Sequence, residues 1–326
     1  MLALAKLDLP ELKSGPSTAL RAGQVLLALR AAGIHYSDVG LINGTYGRTL
    51  ELPAIGGREG VGEVVALGPG VLSPAVGTLV KMPEDLGVWR EALVAEASSL
   101  YPIPAGVPLE QAALAFVNPP TAWRMLHDFV ALQKGDWLML NAGTSAVGVL
   151  VAQLAQHLGW RVLSVVRDEA KAGSLRELGA VVVGEESGYE KNPGAWTGGA
   201  PIRLALNAIG GPSAGRLCRA VAPGGVVVTY GGVTSDPMRF PTRELIFRNL
   251  ALRGYWMDAW ARARPVAEVH ALWDKMIELL REGIITQPVA AQYPLIDWKA
   301  AFEHAFRPGH GGKVLLTSEW KPKNGG

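Results

Sequence analysis

The sequence predicts an α/β protein of two domains, one mostly β and one built on a doubly wound parallel sheet. Three observations carry that expectation. The chain has 326 residues, beyond the size at which a single hydrophobic core usually stops growing. Its first third has short β-rich pieces separated by glycine and proline, whereas from Asp136 onward strands and helices alternate. The first strand of the alternating region also runs into a glycine turn that opens directly onto a helix, GTSAVG from Gly143 to Gly148.

In chain order, QVLLALRAAGI, GVGEVVALGPGV and TLVKM read as strands of the irregular first domain. Thr121 to Leu132 reads as a helix after the Pro119-Pro120 pair. The alternation then runs DWLMLNAG, a helix through VGVLVAQLAQHLG, RVLSVV, a helix around EAKAGSLRELGA, and VVVG. It continues with RLALNAIGG, a helix near SAGRLCRAV, GGVVVTYGGV, a helix near TRELIFRNL, and LALRGYWM. After Trp260 come a long helix, VAEVHALWDKMIELLREGI, irregular sequence, a short helix and the strand GKVLLT. That tail is too short for a third domain and is expected to rejoin the first. The expected boundaries are 1–117 with 261–326 for one domain and 118–260 for the dinucleotide-binding one.

Composition excludes several classes. With 49% apolar and 18% charged residues and 40 glycines, the composition is that of a turn-rich globular enzyme rather than a disordered or fibrous chain. The net charge of +2 is spread without a basic run, which argues against nucleic acid and anionic membranes as partners. One cysteine, Cys218, permits no intrachain disulfide and no multi-thiolate zinc site. The start, MLALAKLDLPELKSG, is interrupted by Lys6 and Asp8 and does not read as a signal peptide, and no apolar run reaches membrane-spanning length. The cytoplasm is the expected compartment.

A strand, a tight turn and a helix N-terminus present backbone N–H groups and a positive dipole end to a pyrophosphate. GTSAVG keeps the first and third glycines of the G-x-G-x-x-G pattern and has Ser145 at the second. An ordinary strand-to-helix turn would look the same, but the βαβ series around it favours a dinucleotide. The strand RVLSVV ends at Arg167, whose guanidinium suits the 2′-phosphate of NADPH. Asp168 and Glu169 follow and pull toward NADH, and Arg167 read as a plain surface charge is the alternative.

The segments SDVGLINGTYGRTLELPAIGGREGV, FVNPPTAWRML, NAGTSAVG, VVRD, TYGGV and FRNLALRGYW resemble, in that order, the medium-chain dehydrogenase/reductase superfamily. Within it the chain looks most like the 2-enoyl thioester reductases of mitochondrial fatty-acid synthesis. The resemblance implies a GroES-like mostly-β catalytic domain, a Rossmann doubly wound parallel-sheet domain, and a homodimer. Relative to that pattern the chain starts late and shows no mitochondrial-type presequence. Zinc-dependent members would hold a metal at the positions of His35, Arg58 and Asn118. Only one of these three can ligate, and a guanidinium repels the ion, so no metal is expected and His35 reads as a hydrogen-bonded packing residue.

The resemblance also implies roles residue by residue. Tyr46, in INGTYG, matches the catalytic hydrogen-bond donor, a phenol still protonated at neutral pH. Asn118 and Thr121 match residues near the nicotinamide and the substrate carbonyl. Cofactor contacts carry over onto Asn118, onto Thr144, Ser145, Ala146 and Val147, and onto Arg167 and Asp168. They carry over further onto Tyr230, Gly231, Gly232 and Val233, onto Tyr255, Trp256, Met257 and Asp258, and onto Lys313. Trp256 reads either as an acyl-pocket wall or, with Trp260, as a core or interface aromatic. Arg58 stands where that family usually shows asparagine, and Glu169 where a second basic residue often follows.

The expected function is NADPH-dependent reduction of the C2–C3 double bond of trans-2-enoyl thioesters on CoA or acyl carrier protein. A zinc-free NADPH:quinone oxidoreductase is the first alternative. A protein that binds NADPH without turnover is the second.

Overall fold

The computed structural model describes residues 20–234 and 236–322. The N-terminal stretch containing Lys6 and Asp8 lies outside the described residues. Two compact units divide the chain, Met1–Phe116 with Gln287–Gly326, and Val117–Thr286.

The first unit is built on a seven-stranded sheet. Its strands are β1 (Gln24–Gly33), β2 (Gly60–Leu67), β3 (Leu79–Lys81), β4 (Ala92–Glu96), β5 (Tyr101–Pro102), β12 (Val289–Pro294) and β13 (Lys313–Thr317), numbered in chain order. The order is β12-β13-β1-β2-β3-β5. β1 is its axis because its residues are apolar on both faces, Val25, Leu27, Ala28, Leu29, Ala31 and Ala32 all being buried. One edge of β1 pairs with β2, while β4 and β13 share the other, β4 against Gln24–Ala28 and β13 against Ala31–Gly33. Trp89 packs edge-on to Phe302 and is nearly fully buried. The loop before β2 crosses this indole so closely that a Cβ at Gly56 or Gly57 would lie 2.6 Å from it. Gly57 also has φ +95°, so the glycine pair is what lets the chain pass over Trp89 and deliver Arg58 to the interior.

The second unit is a six-stranded sheet with order β11-β10-β9-β6-β7-β8. The strands are β6 (Trp137–Leu140), β7 (Arg161–Val166), β8 (Val181–Gly184), β9 (Ile202–Asn207), β10 (Val226–Thr229) and β11 (Ala251–Gly254), each parallel to its neighbours. Apart from the edge strand β11 they are short, mostly apolar runs, as expected for strands covered on both faces. Strand order reverses between β6 and β9, the place where doubly wound sheets open a crevice at their carboxyl ends. Mixed α/β architecture with a GroES-like and a Rossmann-type unit is thus present.

Several elements differ from the sequence expectation. The helix at the proline pair is Asn118–His127, with both prolines inside its first turn, where the missing N–H groups are not needed. EAKAGSLRELGA forms a 3₁₀ turn, Glu169–Lys171, and a short helix, Gly173–Glu177, instead of one helix. The irregular stretch in the tail contains β12, parallel to β13. The long helix, Val266–Arg281, stays with the second unit, so the chain crosses at 286/287 rather than 260/261. Its face of Val269, Leu272, Met276, Ile277 and Leu280 is buried, and it packs against the helix Asn118–His127. Periodicity specified that face but not its partner.

Candidate active site

Tyr46 owes its position to a helix end. The helix Tyr36–Asn43 stops at Gly44 in the left-handed conformation, φ 68°. Thr45 and Tyr46 then donate their backbone N–H groups to Gly40 O at 2.8 and 3.1 Å, folding the chain back over the helix. Gly40 leaves room for this return, since a Cβ there would sit 3.3 Å from Tyr46 Cβ. Tyr46 is half-buried. Its Oη accepts a hydrogen bond of 2.9 Å from Arg58 Nη1, whose second N–H goes to Ser37 Oγ at 2.9 Å. The guanidinium carbon lies 5.0 Å from the Tyr46 ring centroid, within cation–π range.

Behind this pair lies a buried charged cluster in the same unit. His35 Nε2 is 2.5 Å from Glu59 Oε1, and His35 Nδ1 is 3.2 Å from Lys313 Nζ. Lys313 Nζ also donates to Ile34 O at 2.5 Å, and Asp38 Oδ2 accepts the backbone N–H of His35 at 2.7 Å. Burial lowers the His35 pKa to about 4, aided by the Lys313 charge, so the ring is neutral. The ammonium facing Nδ1 makes that atom the acceptor and places the ring proton on Nε2, toward Glu59. Burial raises the Asp38 carboxyl to about 7 and lowers Lys313 to about 8. Burial also pushes Glu59 upward, but His35, Lys313 and the Phe116 N–H together draw it below the usual glutamate range.

These contacts decide whether the zinc positions suit a metal. Arg58 is 3% exposed and holds Ser37 and Tyr46, and His35 is engaged with Glu59 and Lys313. A guanidinium in place of a ligand, beside a lysine, does not fit a zinc ion. Among the described residues no group of three or more His, Cys, Asp or Glu could hold a metal.

In the second unit the cofactor segments carried over from the resemblance, apart from Asn118, follow the carboxyl ends of strands. Thr144 to Val147 follow β6, Arg167 and Asp168 follow β7, Tyr230 to Val233 follow β10, and Tyr255 to Asp258 follow β11. At the glycine turn, Ser145 caps the helix Ala146–Leu158 by accepting the Gly148 N–H at 3.1 Å. The N–H groups of Ala146 and Val147, in the first turn, have no intrahelical acceptor and lie at the positive end of the helix dipole, which favours an anion. Gly148 is required, because a Cβ there would lie 2.3 Å from Gly143 O. Tyr230 Oη is buried beside Ser145 without a well-formed hydrogen bond among the described residues, and burial pushes this phenol well above the ordinary range. Arg167 is exposed, while Asp168 caps the next turn through Ala170 N and pairs with Lys171. Asp168 is thereby drawn into local contacts and Arg167 is left facing solvent. This turn, with its backbone donors at a helix N-terminus, fits the pyrophosphate of a dinucleotide.

Other residues are accounted for separately. Asn118 opens the helix Asn118–His127 and is 9% exposed, and Thr121 Oγ1 donates to Val117 O at 2.6 Å. Lys313 lies on β13 in the first unit, beside His35. Tyr255 Oη donates to Met257 Sδ at 3.1 Å, Trp256 stacks under Arg262 at 4.8 Å and Trp260 under Arg124 at 4.7 Å. The sequence reading passed over a network that braces the strand ends. Asn141 Nδ2 donates to Asn207 Oδ1 at 2.7 Å and to Ser213 Oγ at 2.9 Å, while Asn207 Nδ2 donates to Thr229 Oγ1 at 3.1 Å. Its signal was an asparagine directly after each of two apolar strands, WLML-N and RLAL-N.

This fold with this glycine turn defines a nucleotide-binding oxidoreductase of the medium-chain type. Residues 21–105 match the alcohol dehydrogenase GroES-like domain and residues 146–277 the zinc-binding dehydrogenase family. The chain is 38% identical over 314 residues to the mitochondrial enoyl-[acyl-carrier-protein] reductase of Homo sapiens, spanning 94% of this chain and 84% of that protein. The mitochondrial 2-enoyl thioester reductase Etr1p/Etr2p heterodimer of Candida tropicalis matches with TM-score 0.83 at 27% identity, over 94% of this chain and 93% of that one. The complex of Etr1p with NADP and crotonyl-CoA matches with TM-score 0.84 at 26% identity, over 93% of each chain. The chain belongs to the medium-chain dehydrogenase/reductase superfamily and, within it, to the enoyl-[acyl-carrier-protein] reductase family.

Proposed function

We propose that this protein is an NADPH-dependent reductase of trans-2-enoyl thioesters carried on CoA or acyl carrier protein. The observation that carries the reading is Tyr46, a phenol held by Arg58 in the first unit of a chain belonging to the enoyl reductase family. Bound NADPH supplies the hydride for the β-carbon. The chain's own residues do the rest. Charge gathers on the thioester oxygen as the β-carbon is reduced, and a phenol O–H, neutral at working pH, can donate to that oxygen and supply the proton for the α-carbon. Because Arg58 donates to Tyr46 Oη, the phenol's own proton is available for another acceptor. Asn118 and Thr121 are proposed to sit by the nicotinamide and the substrate carbonyl.

Cofactor binding is assigned to Thr144 to Val147, with Arg167 and Asp168 at the adenosine end. The Tyr230–Val233 and Tyr255–Asp258 loops and Lys313 complete the set. Arg167 supports NADPH over NADH. The first unit, with its tail, is proposed as the catalytic part and the second as the nucleotide-binding part. A homodimer through the β11 edge of the six-stranded sheet is also proposed, supported by the exposed Ile246 and Phe247 on the adjacent helix Thr242–Phe247. One buried cysteine supports a reducing compartment, the cytoplasm. Among the described residues no helix is long and apolar enough to cross a membrane.

The test follows NADPH oxidation with a 2-enoyl-CoA, with a benzoquinone, and with no acceptor. Turnover on the enoyl thioester is expected. Turnover on the quinone alone would replace the reading by a quinone oxidoreductase, and tight NADPH binding without turnover on either would make the protein a non-catalytic binder.

A further inference from the structure

We infer that Arg58 is a positioning residue for Tyr46, directing the phenol's proton outward and holding the negative charge left when that proton is given away. The catalytic part of this inference rests on the function proposed above; the electrostatic part does not.

The geometry has three parts. Arg58 is almost completely buried, and one of its nitrogens, Nη1, spends both N–H bonds within reach of Tyr46, one on Oη at 2.9 Å and one on Ser37 Oγ at 2.9 Å. An arginine only donates, so the Tyr46 hydroxyl must turn its own hydrogen away from Arg58 and offer it elsewhere. The guanidinium also lies 5.0 Å from the ring centroid, so its charge acts on the whole aromatic group. Arg58 is held there by Ser37 on the helix Tyr36–Asn43 and by the Gly56-Gly57 passage over Trp89.

The proton balance then closes on the chain's own groups. When the O–H bond of Tyr46 breaks, the proton goes to the substrate and the electron pair stays on Oη, one charge-assisted hydrogen bond from a permanent cation. Solvent returns the proton after product leaves. Other titratable groups near Arg58 are those of His35, Asp38 and Lys81, with Glu59 and Lys313 bonded behind His35. Arg58 is the group that bonds Tyr46 Oη directly. A metal ion held at this place would polarise the substrate directly; a guanidinium acts one residue removed, through the phenol.

The experiment labels tyrosine at Cζ with ¹³C, assigns Tyr46 by its loss in Tyr46→Phe, and follows its titration in the cofactor-free protein. In Arg58→Met the Tyr46 titration is expected to move up by at least about one pH unit, and in Arg58→Lys to return most of the way. In parallel, kcat for enoyl reduction is expected to fall about 10- to 100-fold in Arg58→Met with KM changed less than about threefold. An unchanged Tyr46 titration in Arg58→Met overturns the inference even with enoyl reduction intact. Equal loss in Arg58→Lys and Arg58→Met overturns it too, since that points to packing. A shifted titration in a protein with no enoyl reductase activity leaves the Arg58–Tyr46 coupling standing and removes the proposed function instead.

Discussion

Asp38 Oδ2 accepts the backbone N–H of His35 at 2.7 Å, tying the side chain at the third position of a helix to the residue that precedes it. Asp38 is 2% exposed, and burial lifts its pKa from 3.8 to about 7. Between those values the unfolded chain is ionised and the folded chain is not, so folding takes up a proton and stability falls as pH rises. His35 opposes this: its pKa drops from 6.5 to about 4, so between those values the unfolded chain holds the extra proton and stability rises with pH. Asp38→Asn removes the first effect and leaves that of His35 in place. The variant is expected to gain stability relative to the parent across about pH 4 to 7, in step with the window of the Asp38 shift, and to hold that gain above it. Urea unfolding at a series of pH values measures the difference, and a pH-independent difference would count against the buried, neutral Asp38.

Removing the hydroxyl of Tyr46 tests the donor itself. Tyr46→Phe is expected to lower kcat for enoyl reduction by roughly 10² to 10³, as loss of one oxyanion donor does elsewhere, with NADPH affinity close to normal. Steady-state rates and a fluorescence titration with NADPH separate the two, and wild-type rates would strike Tyr46 from the mechanism.

Arg167→Ala is expected to weaken NADPH binding and leave NADH nearly unchanged. Loss of a hydrogen bond to a charged phosphate costs about 1.5 to 3 kcal/mol, tenfold or more in Kd. Equal weakening of both cofactors would assign NADPH preference to another residue.

At the turn, Gly148→Ala would bring a methyl group to 2.3 Å from Gly143 O. Relief of that overlap requires backbone movement, at a cost of about 1 to 3 kcal/mol. An apparent Tm several degrees lower is expected together with weaker NADPH binding, since the same backbone carries the N–H groups for phosphate. Calorimetry with and without NADPH reads both effects.

Phe247 is 75% exposed on the helix preceding edge strand β11. If that edge joins two copies, Phe247→Asp lowers the mass seen by light scattering from dimer to monomer while leaving the secondary structure intact. A parent protein that is monomeric at micromolar concentration would withdraw the proposed dimer.

Much of this was legible before any coordinates. The βαβ alternation and the glycine turn follow from short-range pattern, because a strand buried on both faces must be apolar and a phosphate turn must be glycine-rich. Tyr46 and the strand-end loops came from motif likeness. The rest depends on contacts far apart in sequence. The helix Val266–Arg281 shows an apolar face, yet only packing says that it belongs to the second unit. Asn141 and Asn207 are unremarkable asparagines until the sheet sets their strands side by side.

By itself the sequence determined two domains, a dinucleotide turn and the lack of a zinc donor at residue 58, since each is a matter of residue type and spacing. Tertiary structure decided what Arg58 does there. The guanidinium can reach Tyr46 only because Gly44 turns the helix end back and Gly56-Gly57 lets the next loop pass over Trp89, bringing residues twelve apart to 2.9 Å. Hydrogen-bond direction is a property of that meeting, and neither residue carries it alone.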